Sequence, residues 1–139
     1  MIYLDANVFV YSALNRKALG EKSRSIIRHV QAGRIKAVTS ALSFDELVWA
    51  VKKQRGESDG IIAGEIFLNM PGLQILEVRL DILNSALSLL KKYHLNPRDS
   101  IHAASGLNAN VEFIVSEDPD FDALASVIKR KSILRTPIS

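Results

Sequence analysis

Short apolar runs alternate along this chain with longer segments of helical periodicity. The apolar runs predict strands at residues 2–4, 35–39, 73–78 and 111–115, and an edge strand at residues 132–136. The periodic segments predict helices at residues 7–14, 21–31, 43–54, 59–69, 80–93 and 96–107, with a short helical segment at residues 120–126. Strands joined by helices form parallel sheets that are covered on both faces. The sequence therefore predicts an α/β protein, a three-layer α/β/α sandwich around a central parallel sheet.

The length of 139 residues predicts one domain that spans residues 1–139, because no repeat or flexible linker divides the chain. There is no cysteine, which excludes disulfides, thiolate catalysis and cysteine-bound zinc. No stretch approaches the ~20 apolar residues of a membrane span. Asp5 interrupts the first apolar run and no basic residue precedes it, so a signal peptide is not expected. We expect a cytoplasmic protein with no membrane partner.

The charge balance favours a polyanionic partner. The net charge is +3, from 18 basic and 15 acidic residues. If four acids belong to one site, the remaining 11 acids face 18 basic residues, a balance of +7 elsewhere. An acidic centre on a basic body suits a substrate held by its phosphates. The alternative is that the basic residues only solvate the surface.

Two acids directly follow predicted strands. Asp5 follows the first strand, and Ser116 and Asp118 follow the fourth. Sites in open parallel sheets lie beyond the carboxyl ends of the strands. Asp5 also suits the N-cap of the next helix, and capping and metal binding are compatible. Asn7 is expected to order this turn and to bond Asp5 or a ligand water.

Glu46 has two interpretations. Ser43 and Glu46 match a capping box, in which the glutamate bonds the backbone at the start of its own helix. Alternatively, Leu42 and Trp49 make its helix face apolar, so that the carboxylate needs a cation. The residues alone leave both open.

Asp99 and His102 lie three residues apart on one helix and share a face. Asp99 is either a site residue or a first-turn acid that complements the helix dipole. His102 is expected to be packed, with a hydrogen bond to a carboxylate rather than a direct metal bond.

Four acids fall within residues 116–122. Asp118 is best placed to reach the site, whereas Asp120 and Asp122 are candidates for its rim. Phe121 is expected to anchor the segment to the core. The alternative is an ordinary solvated loop.

Together these motifs resemble PIN-domain nucleases, in particular the VapC-like toxin ribonucleases. The resemblance rests on four motifs in order along nearly the whole chain: Asp5-Ala6-Asn7, Glu46 in TSALSFDEL, Asp99 in PRDSIHAAS, and Ser116-x-Asp118 with Phe121. Ala6 departs from the pattern, since the family commonly has a hydroxyl residue there. The resemblance implies that Asp5, Glu46, Asp99 and Asp118 are the catalytic acids and that Asn7, Ser116, His102 and Asp120 support them.

Four converging carboxylates repel one another, and a divalent cation removes that conflict. Oxygen ligands select a hard ion, so Mg²⁺ or Mn²⁺ is expected and zinc is not. Asp5, Asp99 and Asp118 would hold the ion, directly or through water. Glu46 would complete its ligands or orient the attacking water. One or two ions fit this scheme.

The resemblance also implies an RNA substrate (single-stranded or in a loop), a homodimer, and a small antitoxin that inserts a basic residue into the acidic pocket. Ile62, Ile66 and Leu68 are candidates for the dimer face, or else core residues. Arg98 is one of several basic residues near the motifs that are candidates to hold a phosphate; the others are Arg16, Lys17, Lys52 and Lys53.

Other classes fit less well. Haloacid-dehalogenase phosphatases require a second Asp where this chain has Asn7. Receiver domains require a phosphoacceptor Asp after the third strand, where this chain continues Glu77-Val78-Arg79. Two nearer alternatives remain: a non-catalytic PIN-like scaffold that binds RNA or protein, and an RNA-processing nuclease that is not a toxin. No acid of the four motifs is missing, which favours an enzyme.

Overall fold

A five-stranded parallel sheet with the order β3-β2-β1-β4-β5 organises the chain. The computed structural model describes residues 1–138. The strands in this range are β1 (Ile2–Leu4), β2 (Ala37–Ser40), β3 (Leu73–Leu76), β4 (Ile114–Val115) and β5 (Arg130–Lys131). The α-helices are α1 (Ala6–Leu14), α2 (Ala18–Gln31), α3 (Leu42–Arg55), α4 (Glu57–Leu68), α5 (Leu80–Tyr93) and α6 (Pro97–Asn108).

Alternating side chains along the strands divide the core into two layers. Ile2 and Leu4 of β1 pack with apolar residues of α1, α2, α3 and α4 on one face of the sheet. Tyr3 points to the other face, where it packs with Ala103 of α6. α5 packs against α6 through Ile82, Ala86 and Ala104. The predicted three-layer α/β/α sandwich is confirmed.

The strand order reverses between β1 and β4, which are neighbours at the centre of the sheet. The chain runs from β1 towards β2 and β3 on one side, and returns to place β4 and β5 on the other. Asp5 follows β1 and Ser116 follows β4, and the Asp5 N–H donates to the Val115 carbonyl at 3.1 Å. The two predicted strand ends therefore meet at the switch point of the sheet.

The C-terminal segment differs from its prediction. The edge strand is Arg130–Lys131, and most of residues 132–136 form a 3₁₀ turn at Ile133–Arg135. The reason is that Ile133 is fully buried in the core and its N–H donates to the Glu117 carboxylate, which takes it out of sheet pairing. The predicted helical segment at 120–126 is also a 3₁₀ helix, at Pro119–Leu124.

The bounds of α5 match the prediction. The sequence places Leu83, Leu87 and Leu90 along one stripe of this helix, which indicates a buried face, but the first two of these leucines face outward. Leu83 and Leu87 are 42% and 50% exposed. α5 instead buries Ile82 and Ala86, because small side chains let it lie close against α6. An apolar face thus lies on the surface. None of the helices in residues 1–138 has the length and hydropathy that a membrane span requires.

Candidate active site

Asp5 is fixed at the start of α1 by two hydrogen bonds. It is the N-cap residue, and its Oδ1 accepts from the Ala6 N–H at 2.8 Å. Its Oδ2 accepts from the Ser116 hydroxyl at 2.6 Å. The carboxylate is buried, and burial raises its pKa although the charge of His102 and the Ser116 bond oppose the rise. The predicted cap is therefore present at a carboxylate that also faces other site residues.

The Ser116 hydroxyl joins three parts of the site. It donates to Asp5, and it accepts from Asn7 Nδ2 at 3.1 Å and from the Asp118 N–H at 3.0 Å. Asn7 thus reaches Asp5 through Ser116 and makes no direct bond to it. Ser116 consequently ties the start of α1 to the segment that carries Asp118.

Asp99 lies in the first turn of α6 and is 8% exposed. One carboxylate oxygen each from Asp99, Asp118 and Asp120 lie within 4.8 Å of one another. Burial and the charges of Asp118, Asp5 and Asp120 raise the pKa of Asp99 to about 7. Its Oδ2 is buried and has no hydrogen-bond partner among residues 1–138. A buried carboxylate oxygen without a partner is costly unless a proton or a cation compensates it.

Glu46 is not part of a capping box. α3 begins at Leu42, one residue before the predicted cap residue, and its N-cap makes no side-chain hydrogen bond. The Ser43 hydroxyl is directed to Thr39 at 2.7 Å. Glu46 Oε1 instead lies 2.6 Å from Nε2 of His102. The basic neighbour of Glu46 is therefore a histidine 56 positions away in sequence.

His102 lies between two carboxylates and a tyrosine. Its Nε2 bonds Glu46 and is 3.5 Å from Oδ1 of Asp5, and its Nδ1 is 2.6 Å from the Tyr3 hydroxyl. Burial lowers the pKa of His102, but the Glu46 hydrogen bond and the charges of Asp5, Glu46 and Asp99 together raise it above the ordinary value. His102 is thus a packed histidine that bonds a carboxylate, as its place on α6 predicts.

Three of the four acids share a cleft of about 500 Å³. Its lining includes Glu46, Arg98, Asp99 and Asp118. Asp5 lies next to it, 3.5 Å from Nε2 of His102. Of the basic residues considered above, Arg98 is the one that lines this cleft. The structure therefore brings the acids of all four motifs to the switch point of the sheet.

Comparison with known proteins identifies the scaffold. A family model for the PIN domain matches residues 2–127. The chain belongs to the PIN domain family. No curated protein sequence matches the chain.

Solved structures share the fold of this PIN domain. VapC20 of Mycobacterium tuberculosis, a sarcin–ricin loop cleaving toxin, superimposes with a TM-score of 0.74 at 16% identity, over 89% of this chain and 95% of VapC20. The VapBC2 structure of Rickettsia felis, bound to promoter DNA, contains a chain with a TM-score of 0.71 at 18% identity, over 95% and 98% of the two chains. For FitAcB of Neisseria gonorrhoeae the TM-score is 0.70 at 17% identity, over 98% and 100%. The resemblance to VapC-like proteins is confirmed at the level of the fold.

The acids of this PIN domain form two groups. Asp99, Asp118 and Asp120 make an open cluster, while Asp5 and Glu46 both lie at Nε2 of His102. Asp120 is closer to the acids than a rim position implies. Asp122 turns away and forms two hydrogen bonds with Arg130.

A hard divalent cation fits these donors. The cluster offers carboxylate oxygens alone, which is the donor set that Mg²⁺ and Mn²⁺ prefer. The unpartnered Oδ2 of Asp99 and its raised pKa both indicate a carboxylate in need of positive charge. Asp99, Asp118 and Asp120 are the residues best arranged to hold such an ion.

Two residues that hold the site in place, Tyr3 and Arg130, could not be predicted from the sequence. The sequence indicates that Tyr3 is an ordinary core residue of β1, and only the packing of α6 against the sheet brings its hydroxyl to His102. Arg130 bonds both Asp122 and the Ser116 carbonyl, and so holds the Ser116–Asp122 segment against β5. No local spacing signals either contact, because both depend on the order of the strands.

Proposed function

We propose that this PIN domain is a divalent-metal-dependent endoribonuclease that hydrolyses RNA phosphodiester bonds, and that it is the toxin of a toxin–antitoxin pair. The observation that carries the proposal is the cleft that Glu46, Asp99 and Asp118 line together, in which Asp99 has an unpartnered buried oxygen. Asp5 lies next to it, with its Oδ1 3.5 Å from the His102 Nε2 that bonds Glu46. The acids are the catalytic residues, and Asn7, Ser116 and His102 support them.

Each group has a distinct task in this proposal. Mg²⁺ or Mn²⁺ would supply an activated water and stabilise charge on the scissile phosphate. Asp99, Asp118 and Asp120 offer the oxygens that would hold the ion, and the charge of Asp5 acts on Asp99 as well. His102 holds Glu46 at the edge of the same cleft, where its free oxygen is placed to orient a water. Arg98 lines the cleft and offers a cation for a neighbouring phosphate.

Cleavage of mixed single-stranded RNA tests the proposal. The wild-type chain is expected to cut with Mg²⁺ or Mn²⁺ and to stop in EDTA. Asp99→Asn is expected to reduce the rate at least ~100-fold, the size of effect seen when one electrostatic contact to the reacting group is lost. Asp81→Asn, at an exposed acid of α5, is the matched control and should cut normally. Undiminished cutting by Asp99→Asn or in EDTA would overturn the mechanism.

The two nearer alternatives give different results in the same assay. A scaffold would bind RNA and leave it intact under all metal conditions. A processing nuclease would cut RNA, but its expression would not arrest growth. For the proposed toxin, expression of the wild-type chain should arrest growth, whereas expression of Asp99→Asn should not.

An antitoxin partner is part of the proposal. Solved relatives include complexes of a toxin with its antitoxin, such as one from Klebsiella pneumoniae. In this chain, the acidic cleft suits an inserted basic residue. A separate apolar groove of about 410 Å³ between α1, α2, α3 and α4 exposes Ile62 and Ile66. The proposal predicts a small antitoxin gene next to the gene of this chain, and co-expression of the two products should give a complex that no longer cuts RNA.

A homodimer is also proposed. Ile62, Ile66 and Leu68 are each more than half exposed, which excludes the alternative that they are core residues. The outward leucines of α5 offer a second apolar face. Light scattering on Ile66→Lys and Leu87→Lys will tell the faces apart, since a charge in the dimer interface should yield monomers. A wild-type monomer at all concentrations would contradict the dimer.

A further inference from the structure

A pocket of about 460 Å³ lies beside the acidic cleft, between α1 and α3. Its lining includes Asn7, Tyr11, Asp45, Glu46, Trp49 and Arg98. We call it the side pocket. Glu46 and Arg98 line the acidic cleft as well, so the two spaces are neighbours.

Two polar residues of the side pocket are each followed, one helical turn later, by an aromatic residue. Tyr11 follows Asn7 by four residues on α1, and Trp49 follows Asp45 by four residues on α3. Residues four apart share a helix face. The side pocket therefore combines polar side chains with aromatic rings on both α1 and α3.

Trp49 is 62% exposed, a large apolar surface left in water. It belongs to none of the apolar core clusters in residues 1–138. Folding alone gives no reason for an indole at this position. Indole and phenol rings next to a nucleic-acid site are platforms on which unpaired bases stack.

The polar groups of the side pocket suit the rest of a nucleotide. Arg98 is exposed and forms no ion pair within the described chain, so its guanidinium is available to a phosphate. Asp45 is an exposed acceptor for the N–H groups of a base edge. Asn7 lines the same pocket, and its Oδ1 is buried without a partner. Stacking, charge and edge contacts thus converge within one space.

We propose that the side pocket is a nucleobase subsite, in which an unpaired RNA nucleotide next to the scissile phosphate stacks on Trp49 with Tyr11 at its side and its phosphate on Arg98. The inference rests on the proposed ribonuclease activity and deepens it. Because a paired base is not free to stack in this way, the subsite selects single-stranded RNA.

Trp49 is the single tryptophan of the chain, so it reports its own environment. The first experiment titrates the full-length Asp99→Asn variant, in Mg²⁺, with a single-stranded octaribonucleotide and records tryptophan fluorescence. Quenching is expected with the single strand. Little change is expected with the same RNA in a duplex or with inorganic polyphosphate, which offers charge without bases. Equal quenching by polyphosphate, or none by the single strand, would overturn the proposal.

The second experiment compares cleavage by variants in which the acids of the cleft are unchanged. Trp49→Leu is expected to raise KM for single-stranded RNA about tenfold, the order of effect that one stacked base contributes. Trp49→Phe keeps a ring and should stay within about threefold of the wild type. Leu80→Ala, at a 75% exposed residue of α5, is the control and should leave KM unchanged. An unchanged KM in Trp49→Leu would count against the subsite.

Light scattering on the same variants tests whether another protein chain, rather than RNA, occupies the side pocket. If Trp49→Leu changes the oligomeric state and not the affinity for RNA, the side pocket is a contact between protein chains and the proposal is wrong. The two proposals also fail separately. If RNA quenches the tryptophan fluorescence of the wild type but is never cut, the subsite is supported and the nuclease proposal is wrong. If cutting depends on Asp99 but not on Trp49, the nuclease is supported and the subsite proposal is wrong.

Discussion

The carboxylates of the site differ in what holds them. Asp5 accepts two hydrogen bonds from the protein, and Glu46 is bonded to His102. Asp99 has an oxygen with no partner and carries the pKa of about 7. The cost of gathering negative charge therefore falls mainly on Asp99, and substitutions at the three positions should have different effects on stability.

Asp99→Asn should stabilise the protein without metal. At pH 8 the wild-type carboxylate is ionised among other acids, and the amide removes a cost on the order of 2 kcal/mol. The expected rise in Tm in EDTA is about 5 °C. Mn²⁺ should raise the Tm of the wild type and have little effect on the variant. Differential scanning calorimetry measures both, with Asp81→Asn as the control. A lower Tm for Asp99→Asn in EDTA would contradict the assignment.

Tyr3→Phe should destabilise the fold, because it leaves Nδ1 of a buried histidine without its partner. The expected loss is about 1–3 kcal/mol of unfolding free energy. Urea denaturation measures it. Tyr93→Phe removes a hydroxyl for which residues 1–138 provide no hydrogen bond, and should change little. A loss of the same size in both variants would show that the His102 contact is not the cause.

At the scale of elements, periodicity and turn residues predict most of the fold. Every predicted helix and the first four strands are present, with shifts of a few residues at their ends.

The errors arise where a tertiary contact decides which way a side chain faces or what it binds. The leucines of α5 look like a buried stripe, yet the small Ala86 sets the side that meets α6. Glu46 looks like a cap, yet His102 lies close enough to bind it. Four acids were predictable from motifs, but the Tyr3–His102–Glu46 chain was not, because its members come from three distant segments.

Gly72 shows how tightly the elements fit. It lies between α4 and β3 with φ +77°, and a Cβ there would be 2.2 Å from the Val30 carbonyl oxygen of α2. Gly72→Ala should therefore cost more than backbone strain alone, about 3 kcal/mol or more. Gly33 has a similar φ of +74° with nothing within 4 Å, so Gly33→Ala should cost only about 1–2 kcal/mol. Urea denaturation of both variants separates the effect of the Val30 contact from that of backbone strain. Equal losses of unfolding free energy would show that the contact has no effect.

At the scale of the whole molecule, the site makes stability depend on pH. The pKa values of Asp5, Asp99 and His102 are all raised in the folded protein. For each group, the stabilising contribution is present below the unfolded pKa and is lost as pH rises through the folded pKa. The shifts therefore add in the same direction. The exposed pairs Asp81–Arg79 and Asp122–Arg130 lower the pKa of their acids and act below about pH 4, outside this range.

The metal-free protein should consequently lose stability as pH rises from about 4 to above 7, by on the order of 2 kcal/mol from Asp99 alone. Urea denaturation across this range in EDTA measures the slope. Asp99→Asn should flatten the profile, and so should saturating Mn²⁺, because a bound cation replaces the proton. A wild-type profile that rises with pH across this window would contradict the raised pKa values.

The two hydrogen bonds that Asp5 accepts decide which variant suits co-crystallisation with uncut RNA as a test of the proposed ribonuclease. Replacing Asp5 would disturb the cap of α1 and the Ser116 junction along with the chemistry, so a crystal of that variant would show an altered site. Asp99 can be exchanged for its amide without removing any hydrogen bond that its Oδ2 makes within residues 1–138. Asp99→Asn is therefore the form to produce in cells and to co-crystallise.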